Sequence, residues 1–145
     1  MSTSTFASTK TTTGTTSSSI TLRDTGELAG RILLSSLFVL SGLSKISAYA
    51  ATTAYMSAMG IPGVLLPAVI ATELLGGLAI VIGWKTRIAA FLLAGFSLVT
   101  ALTFHTNFAD QIQMIMFMKN VSIAGAFLLL TVNGAGRISL DSKSR

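Results

Sequence analysis

Four runs of apolar residues, each about as long as a bilayer is thick, leave this chain few folds to choose from. They cover residues 28–49, 64–84, 88–106 and 111–132. A helix rising 1.5 Å per residue needs about 20 residues to cross ~30 Å of hydrocarbon, and each run meets that length. Lipid offers the backbone no hydrogen-bond partner, so a spanning segment is a helix or a strand in a closed barrel. Barrel strands alternate polar and apolar side chains over about ten residues, and these runs do not alternate. The sequence therefore predicts an all-α fold, an integral membrane four-helix bundle. Composition agrees: 10% of residues are charged against roughly 25% in soluble domains, too few to dress a water-facing surface.

The flanks divide the chain into three parts. Residues 1–21 hold fifteen Ser or Thr, one Lys and no acid, with too little apolar surface to offset the entropy of ordering. Residues 1–26 are thus expected to be a disordered tail, and with no apolar stretch of their own they do not read as a secretory signal. Residues 27–134 form the membrane domain, and residues 135–145 a basic tail. Gly60, Pro62 and Gly63 mark the loop before the second span, and Asn133-Gly134-Ala135-Gly136 ends the fourth.

Basic residues set the orientation. With four spans, Lys10, Arg23, Arg31, Lys85, Arg87, Arg137, Lys143 and Arg145 fall on one side, leaving Lys45 and Lys119 elsewhere. Both termini are therefore expected in the cytoplasm (N-in, C-in), with Trp84 anchored at the inner interface. Arg31 and the Lys85/Arg87 pair read as topology signals. The net charge of +5 is dispersed among apolar runs, which argues against nucleic acid as a partner. Small residues four apart (Thr72 and Gly76, Ala90 and Ala94, Ser122 and Ala126) lie on single helix faces and favour close packing. Met114, Met116 and Met118 read as lipid-facing or packing residues.

The same orientation places the ionisable groups by depth. Glu73 lies about 13 Å below the outer surface and Lys119 about 12 Å, at 1.5 Å per residue. Lys45 sits about a turn below that surface, and His105 closes the outer end of the third span. One ionisable side chain from each helix thus falls in the outer half. A lone charge at mid-membrane costs on the order of 2.5–3.5 kcal/mol, which pairing Glu73 with Lys119 or Lys45 would offset. The cluster reads either as a network that fixes helix docking or as a functional polar site. Lys45 can also be read as snorkelling to the interface, and His105 as an interfacial residue.

Several chemistries are excluded by inventory. With no cysteine and a single histidine, the chain alone offers no ligands for an iron–sulfur cluster, covalent haem, zinc or copper. It carries no nucleophile–base spacing and no phosphate-cradling glycine loop. Catalysis by this chain on its own is not expected.

The stretch GRILLSSLFVLSGLSKI (residues 30–46) resembles the first helix of the DoxX family of small bacterial inner-membrane proteins. ATELLGGLAIVIGWKTRIAA (71–90), KNVSIAGAFLLL (119–130) and GAGRISL (134–140) continue the likeness in order. The resemblance covers about residues 27–141. It implies a multi-pass bacterial inner-membrane protein, with Arg31, Lys45, Glu73, Lys119 and Asn120 at the family's recurring polar positions. Some members are subunits of quinone-reducing oxidoreductases. By that likeness the chain is expected to be an accessory subunit of a quinone-linked membrane oxidoreductase, with quinone as ligand and a redox enzyme as partner. The intramembrane polar cluster is then Lys45, Glu73, His105, Lys119 and Asn120. A small oligomeric transporter or permeation unit and a structural or assembly protein are the alternatives.

Overall fold

The computed structural model describes residues 20–143. It is all-helical over these residues, as the hydropathy pattern predicts. In chain order the helices are α1 (Leu22–Ser47), α2 (Tyr49–Ala58), α3 (Leu66–Ile82), α4 (Thr86–Phe104), α5 (Gln111–Asn133) and α6 (Leu140–Lys143), with a 3-10 turn, Gly63–Leu65, leading into α3. Four segments, Leu22–Ser47, Gly63–Ile82, Thr86–Phe104 and Gln111–Asn133, are long and apolar enough to cross a membrane.

Helix α1 starts upstream of its apolar run, so residues 22–26, expected in the disordered tail, are helical instead. A capping box explains the early start. The Thr21 hydroxyl accepts from the Asp24 amide, and the Asp24 carboxylate accepts from the Thr21 amide at 2.8 Å, satisfying donors that open every helix. Hydropathy cannot see such a polar first turn. The expectation for residues 1–19 falls outside the described residues.

Helix α2 is a second element that hydropathy does not announce. Only Ala48 separates it from α1. It packs on the 3-10 turn, buries Met56 and stacks Tyr55 on Phe104 of α4 with ring centroids 5.6 Å apart.

The bundle is built from two helix pairs, α1 with α3 and α4 with α5, joined by a lighter α3–α4 contact. At its centre Phe38 of α1 meets Phe127 of α5 edge-to-face at 5.3 Å, among Ile80, Leu93 and the small Ala90, Ala94 and Ala124. Such aromatic pairs add about 0.5–1.5 kcal/mol beyond the area they bury. Ala90 and Ala94 therefore pack as their spacing suggests, whereas Ser122 is exposed. Leu33, Phe91, Leu102 and Leu129 all point outwards and are well exposed. In water such a surface would aggregate; in hydrocarbon it is solvated.

Residues 134–143 are not a tail. They fold back across the end of the bundle where α1 begins and α3 meets α4. The Asp141 carboxylate accepts from the amides of Lys85 and Thr86 at 2.7 and 2.9 Å, capping α4, and its own amide donates to the Gly83 carbonyl at 2.8 Å. Arg31, read from sequence as a topology signal, is 2% exposed. Its guanidinium donates to the carbonyls of Ile80 (3.1 Å), Val81 (3.3 Å) and Ile138. The first two belong to the last turn of α3, where intrahelical donors run short; the Ile80 carbonyl also accepts from the Gly83 amide at 3.2 Å. Gly83 makes the turn possible: it takes a left-handed φ of 70°, and a Cβ there would collide with Arg31 and Ser139.

Candidate functional site

The site lies at the other end of the α1–α3 pair. Ser41 and Lys45 are one turn apart on α1 and therefore share a face. Glu73 projects from α3 towards them. The Lys45 ammonium donates to both Glu73 oxygens, at 2.8 and 3.0 Å, and to the Ser41 hydroxyl at 2.6 Å. The Ser41 hydroxyl in turn donates to Glu73 Oε1 at 3.1 Å.

Close backbone approach makes this geometry possible. Gly42 sits where α1 crosses α3, and a Cβ there would fall 2.8 Å from Leu74 Cγ and 3.4 Å from Glu73 Cβ. Small residues allow helices to meet in this way, and here the approach brings an ammonium and a carboxylate into contact. Burial is uneven across the pair. The Glu73 side chain is 5% exposed and that of Lys45 24%. The carboxylate is sealed between helices, while one side of the ammonium stays open at the bundle surface.

The remaining residues of the sequence-derived cluster do not join this pair. Lys119, weighed as a partner for Glu73, is exposed on α5 and forms no hydrogen bond or ion pair among the described residues. Equal depth does not translate into contact, because depth fixes height but not rotation about the helix axis. Asn120 is half-buried and donates to the Met116 carbonyl one turn back, at 2.9 Å. His105 closes α4, and its Nδ1 lies 2.8 Å from Gln113 Oε1 of α5. It tethers those two helices, with no bond to Lys45 or Glu73 among the described residues.

Sequence reading also misses Ser41, whose hydroxyl bridges the pair. The signal is available: a hydroxyl one turn from a membrane lysine lies on the same face, within reach of its ammonium. No group of three or more potential metal ligands clusters among the described residues.

Chemically, the arrangement holds a charge pair in low-dielectric surroundings, with a shared hydroxyl donor and acceptor. By turning one N–H away from its present acceptor, the ammonium can present a proton to a group arriving from the lipid side while its remaining bonds hold the cation in place.

The DoxX family model matches residues 26–106. The chain belongs to the DoxX family. This DoxX chain is 52% identical over 120 residues to inner membrane protein YqjF of Escherichia coli (strain K12), covering 83% of this chain and 92% of that one. It is 41% identical over 123 residues to inner membrane protein YphA of the same organism, covering 80% of this chain and 88% of that one. No solved structure matches it. Together with four membrane-length helices, these relatives make the DoxX chain an inner-membrane protein. Within it the family match takes in Arg31, Ser41, Lys45 and Glu73, while Lys119, Asn120 and the C-terminal return lie beyond the matched residues.

Proposed function

We propose that this DoxX protein is an accessory subunit of a quinone-linked membrane oxidoreductase, with both termini in the cytoplasm and the Lys45–Ser41–Glu73 triad in the outer half of the bilayer. The observation that carries the reading is the uneven burial of the pair, with Glu73 sealed and Lys45 open on one side. An ammonium held at the bundle surface by a buried carboxylate is a suitable donor to the carbonyl oxygen of a lipid-soluble quinone. Because the open side faces outwards, a partner subunit would form the opposite wall and supply the electrons, for which this chain has no ligand set of its own. The orientation rests on Arg23, Arg31, Lys85, Arg87 and Arg137, which share one end of the bundle, and such residues favour the cytoplasmic side.

Purification of the full chain in mild detergent tests the role. Quinone retained by the wild-type protein, lowered in Lys45→Met, together with a co-purifying redox enzyme, is the expected result. Absence of both quinone and redox partner refutes it. Single-cysteine labelling at either terminus in whole cells tests the orientation, with protection from a membrane-impermeant reagent expected.

A second reading, a small oligomeric permeation unit, draws on one observation. Lys119 stands exposed on α5, and α5 has the smallest buried share of the four spans. A second copy could cover it. Proton or solute flux in liposomes that disappears with Glu73→Gln would favour this reading, and flux equal to empty vesicles would remove it.

A further inference from the structure

The end of the bundle that carries both described termini holds a cavity of about 860 Å³, walled by α1, the start of α4 and the return after α5. Four cations line it: Arg23, Lys85, Arg87 and Arg137. Three carboxylates also reach it, and each is already engaged. Glu27 pairs with Arg23 at 2.9 Å, Asp24 with Arg137 at 3.3 Å, and Asp141 holds two backbone amides of α4. Lys85 and Arg87 have no carboxylate within ion-pairing distance among the described residues. The Lys85 ammonium lies over the Trp84 ring, 5.4 Å from its centre, and the Arg87 guanidinium lies beside Gly134 where α5 ends.

A second hollow adjoins the first. An open groove of about 340 Å³ runs between α3 and α4, the two helices with the lighter contact. Its walls are almost wholly apolar, with Leu75, Gly76 and Leu92 along its length and Ala71 at its far end. Lys85 and Ile88 line both hollows, so a chamber ringed by charged side chains adjoins an apolar groove at these two residues. From Ala71 to Ala79 the groove follows α3 for about 12 Å at 1.5 Å per residue, most of the depth of one leaflet of a ~30 Å hydrocarbon core.

We propose that this joined chamber and groove is a binding site for one anionic phospholipid. Its phosphate and glycerol headgroup sits against Lys85 and Arg87, and an acyl chain lies between α3 and α4. Charge complementarity selects the headgroup: of the two cations without carboxylate partners, Lys85 lines both hollows and Arg87 lines the chamber two residues further along the chain. Basic pockets beside membrane helices are suited to acidic headgroups, and the chamber volume is within the range of small-molecule sites. The groove selects an amphiphile over a free phosphate ester, because it has almost nothing polar to offer. Trp84, which lines the groove and is half-exposed, places this junction at the membrane–water boundary, where such rings settle. The site shares no lining residue with the Lys45–Glu73 pair: the groove lies between α3 and α4, the pair between α1 and α3.

Native mass spectrometry of the full chain in detergent, titrated with phosphatidylglycerol or with phosphatidylcholine of the same chains, tests the proposal. Phosphatidylglycerol is expected to bind roughly thirtyfold more tightly, as two interfacial cations imply. Lys85→Asn with Arg87→Gln should reduce that preference to less than about threefold; Asn suits the left-handed backbone that Lys85 adopts, with φ of 44°. Ala71→Trp blocks the exposed far end of the groove without touching a charge, so it should weaken both lipids and decides the matter if the double variant fails to fold. Equal binding of the two lipids, or a preference that survives in the double variant, overturns the proposal. Full displacement of phosphatidylglycerol by equimolar glycerol phosphate also overturns it, and assigns the chamber to a free phosphate ester.

Discussion

Arg31 donates to the backbone carbonyl of Ile138, a residue 107 positions further along the chain. The same guanidinium bonds the last carbonyls of α3. One side chain thereby ties the first span, the second span and the C-terminal return into one clasp. Charge matters less here than shape, because a planar fork holds its donors in a fixed spread that reaches carbonyls on separate segments, whereas an ammonium is a compact point charge.

Replacing Arg31 with Met should therefore take this donor from the carbonyls of Val81 and Ile138 and leave the Ile80 carbonyl only the Gly83 amide. A loss of about 2–4 kcal/mol is expected, read by unfolding in mixed micelles of mild detergent and dodecyl sulfate. Arg31→Lys should recover only a small part of it. Limited proteolysis should cleave both variants near residues 134–139, where the wild type resists. A variant as stable and as resistant as wild type would mean that the clasp contributes nothing.

The Lys45–Glu73 pair should respond asymmetrically. Removing one partner of a buried pair costs about 3–5 kcal/mol. Lys45→Met strands the sealed Glu73 and belongs at the upper end. Glu73→Gln leaves Lys45 free to turn towards the surface and belongs at or below the lower end. The double variant Lys45→Met, Glu73→Leu should fold nearly as well as wild type, since apolar replacement of a buried pair is often neutral. If that double variant folds and still retains quinone, the pair is packing alone.

Gly42→Leu should force α1 away from α3 at Leu74, at about 1–3 kcal/mol, and pull Lys45 out of reach of Glu73. Cysteines placed at positions 45 and 73 report the separation. Their cross-link should form readily while Gly42 is present and fall sharply once Gly42→Leu is added. Unchanged cross-linking would show that the helices do not need the close approach.

Asp141→Ala should cost about 1–2 kcal/mol as a lost helix cap, and Asp141→Asn less, because one side-chain oxygen can still accept. Thermal unfolding in detergent measures the difference. Equal behaviour of the two variants would place the effect outside the α4 amides.

Much of the architecture is legible in the sequence because hydrocarbon imposes a simple rule on length and polarity, and the four spans obey it. The meeting of Lys45 and Glu73 is also within reach, since a carboxylate in lipid needs a cation and only two are available near its depth. The choice between those two is not legible. Helix α5 is apolar nearly all the way round, so nothing in its pattern tells whether Lys119 faces α3 or lipid. The bonds of Arg31 go unseen for a related reason. A cation near a helix end is what the topology rule expects, and its acceptors are backbone carbonyls supplied by distant segments. The same holds for Asp141, whose role exists only once residues 134–143 turn back onto α4.

The clasp also has a place in time. Ile138 and Asp141 follow all four spans in the order of synthesis, and chains are made from the N-terminus at about 5–20 residues per second. Arg31 enters the bilayer early and must wait, its donors unmatched by Ile138, until the final turn has left the ribosome. Insertion of the helices and locking of the bundle are thus separate events, and a nascent chain halted after its fourth span would be embedded but unlatched.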